Sequence, residues 1–386
     1  MNWPVVPLRD AAEISAGITL GRKTKDADLV PVPYLRVANV QDGRLNLAEV
    51  KTVEATRREI EKWRLQDGDL LLTEGGDLDK LGRGACWREQ MPLCIHQNHI
   101  FRVRFSKERY DPDFVSLQVG SEYGKAYFLA HAKKTTGIAS INQQVLGGFP
   151  LLSPLLDDQR RVAADLKAQL AAVEQARQAA QAQVEELSQL ANAIVRDSVA
   201  HAGTETRLLG DVLDEVKRGI GAGWADHPVL GATRAGLALA KEPVGKNPER
   251  YKLVRVGTVF YNPMRILIGS IAMVDEADAP GITSPDYVVL RGREGVVDSR
   301  WFYYWLRSPL GEQCIASLAR GAVRERMLFN RLAEGEIELP AYPVQQAASH
   351  ALAELRSMKA RIEAQLQEIQ LLPSRLLAQA FGPSAK

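Results

Sequence analysis

Two stretches of this chain are too long and too free of helix breakers to be anything but extended helices. From Asp157 to Ser198 there is no glycine or proline, and the apolar residues Leu166, Leu170, Val173, Ala180, Val184, Leu187, Ala191 and Ile194 recur in alternating steps of four and three. That is the seam of a coiled coil, narrower than the face of a helix lying on a globular core, and it requires a partner helix. A second segment, from about Gln345 to Leu372, carries Leu352, Leu355, Ile362, Leu366 and Ile369 in the same rhythm. A shift of 182 positions superimposes the two seams and drops Lys359 onto Arg177, so each seam holds one basic residue at the matching place. A charge in such a seam trades stability for register and choice of partner.

The flanks repeat as well. Pro154 stands five residues before Gln159, and Pro340 stands five residues before Gln345; a proline just ahead of a helix restricts the entering chain. Further upstream, Gly68-Asp69-Leu70-Leu71-Leu72 matches Gly257-Thr258-Val259-Phe260-Tyr261, each a turn followed by a strand-like run. Asp113-Phe114-Val115 and Arg300-Trp301-Phe302 precede short helical stretches ending near Ser121 and Ser308. The pattern predicts an α+β protein of globule, helix, globule, helix, with bounds at 1–155, 156–203, 204–341 and 342–386. Pro373 should stop or kink the second helix, leaving the two unequal in length. Two paired helices of about 40 residues, at roughly 1.5 Å each, make a rod of about 60 Å. A rod that holds two heads apart suits duplex DNA, whose same face recurs about every 34 to 36 Å.

Composition sets limits on this reading. The formal charge of the 386-residue chain is +2, and residues 204–340 hold 18 basic and 18 acidic side chains, so a nucleic-acid surface has to come from local clusters. Three cysteines, Cys86, Cys94 and Cys314, are too few and too scattered for a disulfide framework and point to a reducing, cytoplasmic setting, with no leader-like N-terminus to suggest export. The longest uncharged run, Thr135 to Leu156, is broken by glycines and prolines and reads as loop and strand, so no membrane partner is expected.

At this point the chain resembles the specificity subunits of type I restriction-modification systems. The segments that carry the resemblance are Leu72-Thr73-Glu74-Gly75-Gly76-Asp77, Lys80-Leu81-Gly82-Arg83 and Gln97-Asn98-His99 in the first half. In the second half they are Tyr261-Asn262-Pro263-Met264-Arg265, Gly269-Ser270-Ile271 and Ser284-Pro285-Asp286-Tyr287-Val288-Val289. Both halves also close alike, at Gly137 to Gln159 and Gly321 to Gln345, although Pro343-Val344-Gln345-Gln346 lacks the acidic residue that often precedes the glutamine in that family. The resemblance implies two target-recognition domains, each reading half of a bipartite duplex DNA site, alternating with helices that pair antiparallel. It further implies docking of two methyltransferase subunits and of restriction subunits, with S-adenosylmethionine, ATP and magnesium on those partners and no cofactor on this chain.

Candidate DNA-binding residues are the basic and hydrogen-bonding side chains that fall outside apolar periodicity, since phosphate contacts set register and base-edge contacts carry sequence. In the first globule they are Arg22, Lys23, Lys25, Lys80, Arg83, Lys133, Lys134, Thr135, Thr136 and Asn142; in the second they are Arg234, Arg265, Arg320, Arg324 and Arg326. Any one of these also fits a solvated surface charge, and Asn98, His99 and Asn262 equally fit turn chemistry. Two rival functions stay open: a coiled-coil adaptor that binds protein alone, and a self-contained methyltransferase or nuclease. Against the latter, no (Asp/Asn)-Pro-Pro-aromatic motif for a flipped base occurs, the nearest strings being Asn262-Pro263-Met264 and Asn247-Pro248-Glu249. No phosphate loop ending in Gly-Lys-Ser/Thr occurs either. Cys94, His96 and His99 lack a second cysteine pair for zinc, and Asp77, Asp79 and Lys80 read better as a polar loop than as a nuclease centre.

Overall fold

A computed structural model describes residues 3–22, 28–76, 81–135, 138–241, 243–319 and 326–382. The chain forms two compact units, one made of Met1–Gln178 with Gln367–Lys386 and the other of Ala179–Leu366. Each unit therefore contains one globule together with part of both long helices.

In the first unit the chain runs through β1 (Val5–Pro7), α1 (Leu8–Ala11), β2 (Ala12–Ala16), β3 (Leu29–Leu35), β4 (Lys51–Thr56), α2 (Arg57–Trp63), β5 (Leu70–Thr73), β6 (Gly75–Gly76), β7 (Gly84–Cys86), β8 (Ile95–His96) and β9 (Ile100–Phe105). It continues through α3 (Pro112–Gly120), α4 (Glu122–His131), β10 (Lys133–Thr135), β11 (Ile138–Ser140), α5 (Gln143–Gly147) and β12 (Pro150–Leu152) into the long helix α6 (Leu156–Val199). The central sheet has the order β2-β9-β5-β7. Leu70, Leu71 and Leu72 are all fully buried, which is why β5 is an unbroken apolar run and not an alternating one. Asp111 caps α3 by accepting from the Phe114 amide, with Pro112 at the first helical position. Ser121 ends α3 and caps α4 through the Gly124 amide. A Cβ on Gly124 would stand 2.2 Å from the Val119 carbonyl oxygen, so this corner admits only glycine. The uncharged run from Thr135 is more than loop and strand, because Asn142 caps the short helix α5 within it.

The second unit repeats this plan. After α6 come β13 (Glu205–Leu208), α7 (Leu209–Val212), β14 (Leu213–Glu215), β15 (Leu230–Thr233), β16 (Gly236–Leu239), β17 (Lys252–Val254), β18 (Thr258–Tyr261), β19 (Ile271–Val274), β20 (Gly281–Thr283) and β21 (Val288–Gly292). Then follow α8 (Ser299–Arg307), α9 (Pro309–Leu318), α10 (Phe329–Leu332), β22 (Glu336–Leu339) and the second long helix, α11 (Tyr342–Phe381). Its sheet, β14-β21-β18-β19, has the topology of the first. Asp298 caps α8 as Asp111 caps α3, and a Cβ on Gly311 would lie 2.3 Å from the Trp305 carbonyl oxygen, as at Gly124. The turn glycines matched in sequence, Gly68 and Gly257, both have positive φ, 90° and 79°. Asp113-Phe114-Val115 and Arg300-Trp301-Phe302 lie inside the first turns of α3 and α8 and do not precede them. In each globule the opening strand pairs with the closing one, Val5 opposite Leu152 and Glu205 opposite Leu339, so the chain enters and leaves at the root of its helix.

A buried glutamine locks each helix root. Gln159, 1% exposed, donates from Nε2 to the Pro154 and Arg109 carbonyls at 2.8 and 3.1 Å and accepts from the Asp111 amide at 3.0 Å. Gln345, fully buried, donates to the Pro340 and Val296 carbonyls at 2.7 and 3.0 Å and accepts from the Asp298 amide at 2.9 Å. These partners set the repeat at 186 residues (345 minus 159), four more than the 182 that best aligns the seams. Four residues is about one helical turn, so both alignments turn the same face inward. Ion pairs stand beside each lock. Asp113 bonds Lys167 of α6 at 2.8 Å and Arg88 at 2.5 Å, and Asp275 bonds Arg300 and, at 2.9 Å, Arg356 of α11. Burial pushes both carboxyls up, but these cations outweigh it and hold them below the usual carboxylate range.

The long helices run antiparallel. In the first unit the start of α6 (Val162, Ala163, Leu166) shares a core with the end of α11 (Leu376, Leu377, Ala380, Phe381). In the second, the end of α6 (Ala191, Ile194, Val195, Val199) shares a core with the start of α11 (Ala348, Leu352, Leu355). Of the seam residues, Leu166, Leu352 and Ile369 are buried and Leu170, Val173, Val184, Leu187, Ile194, Leu355, Ile362 and Leu366 are half-buried. The two seam charges do different work. Lys359 reaches Ser188 Oγ across the pair at 3.4 Å, while Arg177 bonds Glu174 on its own helix at 2.6 Å. Pro373 does not stop α11, which continues to Phe381 and has 40 residues against 44 in α6. The hydrogen bond lost at proline is outweighed by burial beyond it: Phe381 is 1% exposed and packs edge-on against Phe114 at 5.3 Å.

Two stability tests follow from these environments. Gln159→Leu leaves one buried amide and two carbonyls unpaired and should cost roughly 2–4 kcal/mol in chemical denaturation, whereas Gln159→Glu, which keeps an acceptor for the Asp111 amide, should cost less. His96 is fully buried beside the Ile100 carbonyl, and burial lowers its pKa from the ordinary 6.5 to about 4. The unfolded chain takes up a proton below pH 6.5 that the folded chain refuses until about 4, so stability should fall as pH drops through this window. Melting temperatures between pH 7.5 and 5 should show that slope in the native chain and a flatter one in His96→Leu.

Candidate nucleic-acid interface

In the first globule, segments far apart in sequence are drawn together at one end of the central sheet. Glu74 is the hub: its amide donates to the His99 carbonyl at 3.0 Å, its carbonyl accepts from the Ile141 amide at 2.8 Å, and its carboxylate meets His99 Nδ1 at 2.6 Å. Gly75 and Gly76 pair as β6 with Ser140 and Ala139 of β11, and β11 pairs back with β10 at Lys133 and Lys134. The close approach explains the glycine at 75, since a Cβ there would stand 2.6 Å from the Ala139 carbonyl oxygen. The exposed side chains of Lys133 and Lys134 therefore rise from a hairpin anchored on the loop that follows β5. Arg83 closes the same loop, its carbonyl accepting from the Thr73 amide at 2.9 Å and its guanidinium reaching Gln41 Oε1 at 3.4 Å.

The second globule builds its corresponding end from different side chains. The loop after β18, Asn262 to Ser270, turns through a short 3-10 segment, Ile266–Ile268, and a left-handed Gly269. Asn262 Oδ1 accepts from the Met264 amide at 2.9 Å, which is the turn role open to it from sequence. Arg307 fastens this loop and the start of β19 to the β15–β16 hairpin, donating to the Gly269 carbonyl at 3.3 Å, the Ile271 carbonyl at 2.8 Å and the Arg234 carbonyl at 2.7 Å. Ser270 Oγ bonds the Ala232 carbonyl at 2.7 Å, and the Met327 amide bonds the Pro263 carbonyl at 3.0 Å. Arg234 and Arg265 are both exposed, and neither guanidinium bonds another described residue. Beside them lies a cleft of about 510 Å³ lined by Arg234, Ile266, Ile268, Arg307, Glu312 and Ile315. Arg307, which holds two of these segments in place, was not singled out from sequence; its position in the last turn of α8, amid aromatics, looks like a helix-end charge.

The candidate residues thus fall into three groups. Lys133, Lys134, Arg234 and Arg265 are exposed at these loop ends, with Arg83 half-buried and the backbone of Thr135 in the hairpin. Others have local partners. Arg22 is bidentate to Glu59 at 2.7 and 2.6 Å, and this bond holds the Glu59 carboxyl down at about 2. Asn142 accepts from the Val145 amide as a helix cap, and Arg326 meets Asp286 at 3.3 Å. Lys23, Lys25, Lys80, Thr136, Arg320 and Arg324 lie outside the described residues, as do Asp77 and Asp79.

Among the described residues, the cysteines and paired histidines of the first globule have structural surroundings. Burial pushes the Cys86 and Cys94 thiols up to about 12, which keeps them protonated and unreactive. Cys94 donates to the Ile95 carbonyl, His96 faces Ile100 from the core and His99 pairs with Glu74 at the surface, so the three do not converge. Among the described residues no group of three or more metal-ligating side chains stands together, and no helix is long and apolar enough to cross a membrane.

No protein-family model matches the chain. It is 24% identical over 163 residues to the putative type I restriction enzyme MjaX specificity subunit of Methanocaldococcus jannaschii, a match covering 42% of this chain and 38% of that protein. It is 24% identical over 132 residues to the type I restriction enzyme EcoKI specificity subunit of Escherichia coli, covering 34% and 28%. The chain thus matches well under half the length of either relative. Among solved structures, one chain from work on complex assembly and conformational transition of the type I R-M system superimposes with a TM-score of 0.69 at 15% identity, over 99% of this chain and 98% of the other. The HsdS subunit from Thermoanaerobacter tengcongensis superimposes with a TM-score of 0.57 at 16% identity, over 99% and 97%. Two globules of one topology, joined by antiparallel helices and matched from end to end, give this chain the fold of the HsdS specificity subunits of type I restriction-modification systems.

Proposed function

We propose that the chain is the DNA-recognising subunit of a type I restriction-modification assembly. Each globule reads one half of a bipartite duplex site, and the paired helices space the reading heads and dock methyltransferase subunits. The observation that carries this reading is a scaffold repeated down to its helix caps and glutamine locks, bearing different side chains on the corresponding loops after β5 and β18. Repetition of the scaffold serves two equivalent docking tasks; divergence of the loops serves two different sequences. Lys133 and Lys134 supply phosphate contacts in the first head and Arg234 and Arg265 in the second, with the balanced charge of the chain confining attraction to these loops. Methyl transfer from S-adenosylmethionine and ATP-driven cleavage with magnesium belong to the partner subunits, and this chain acts as the assembly's address in the cytoplasm.

Two measurements test the reading. Replacing residues 1–155 with the corresponding segment of a relative should change one half of the methylated sequence and leave the other as it was; a change in both halves would contradict modular reading. Lys133→Ala with Lys134→Ala should weaken binding of the assembled complex about equally on all sequences and make the salt dependence shallower by about one to two counterions. Loss that depends on sequence, or no salt-sensitive binding in the native complex, would count against it.

A further inference from the structure

The loops in corresponding positions of the two globules differ in chemistry, and the difference predicts what the second head reads. After β5 the described residues of the first globule are Glu74, Gly75 and Gly76, paired through β11 to the strand that carries Lys133 and Lys134. After β18 the second presents Met264, Leu267 and Ile268, which are 51%, 57% and 65% exposed. Three large apolar side chains exposed within five residues exceed the scattered single residues normal on a surface, and Leu267 and Ile268 line one cleft. The patch is held rigidly. Ile266 beneath it is buried, Gly269 turns the chain in the left-handed region, and Arg307 ties the loop at Gly269 (3.3 Å) to the neighbouring hairpin at Arg234 (2.7 Å). Arg265, next to Met264 on the loop, and Arg234, which shares a cleft with Leu267 and Ile268, are exposed and without a described partner. An apolar loop beside exposed guanidinium groups matches a duplex groove, where phosphates border the base edges and the one apolar group on those edges in the major groove is the 5-methyl of thymine.

The geometry points to Leu267 and Ile268 as specificity-determining residues that pack against a thymine methyl group in the half-site read by the second globule. This rests on the DNA-recognition reading above and adds the base that is read and the side chains that read it.

The test uses the complete assembly with its methyltransferase partners and the target sequence found by mapping methylated adenines. The half-site belonging to the second globule is the one that survives replacement of residues 1–155. Each thymine in that half is replaced in turn by deoxyuracil, which removes only the methyl group. The native assembly should bind one such duplex on the order of threefold to tenfold more weakly. L267S with I268S should lower affinity for the thymine duplex and bring the thymine-to-uracil ratio below about twofold, with an unchanged melting temperature because both side chains are exposed. A half-site without thymine, binding indifferent to every uracil, or a double variant that keeps the native ratio would each overturn the inference while leaving salt-sensitive DNA binding intact. Loss of the methyltransferase subunit from the double variant would assign the loop to a protein contact and overturn it as well. Absence of salt-sensitive binding by the native assembly would overturn this inference and the DNA-recognition reading together.

Discussion

A carboxamide buried at the first turn of each long helix is the contact on which the rest of this structure depends. Gln159 and Gln345 each tie three backbone groups, a proline carbonyl on the closing strand's exit, a carbonyl in the loop before α3 or α8, and the amide of that helix's aspartate cap. Only a glutamine offers both a donor and an acceptor at this reach without introducing a charge, and in a dry site every one of those groups would otherwise lie unpaired. The direction in which a helix leaves its globule is thereby fixed by hydrogen bonds as well as by apolar contact, which has no direction of its own.

Around that lock each globule is gripped twice, by the beginning of the helix that follows it and by the end of the other helix. In the first unit Phe381 is driven edge-on against Phe114; in the second, Trp301 donates from its indole nitrogen to Ser198 Oγ at 2.8 Å. The last turns of α11 thus belong to the core of the first globule and are held there by burial. On the proposed function, rigid joints of this kind let the loops diverge freely: a side chain exposed after β5 or β18 can change without disturbing the scaffold that presents it.

The sequence made the helices, their seams, the pairing glycines Gly68 and Gly257 and the globule-helix repeat legible, because each is a local rule: a 3.6-residue period, a missing Cβ, a proline before a helix. It also made Gln159 and Gln345 visible as repeated marks, though not their job. Other side chains gained partners that the sequence does not show. Arg22, read as a loop cation, is neutralised by Glu59 across 37 positions, and Asn142, read as a hydrogen-bonding candidate, is spent on capping α5. A basic or amide side chain looks the same in sequence whether its partner is solvent, a carboxylate or a distant amide.

What the sequence by itself determined is the periodic part of this protein, two helices that need partners and two sheets that need covers, since periodicity alone decides which faces are apolar. What only the tertiary structure decided is which of the described cations find a protein partner and how far the second long helix runs. Pro373 breaks a helix by local rules, yet α11 runs through it because the apolar surface of Leu376, Leu377 and Phe381 finds a core to enter, and burial of that size outweighs one lost hydrogen bond. Arg307 likewise gains its role from segments that meet only on folding, where the carbonyls of Arg234, Gly269 and Ile271 converge on its fork of donors.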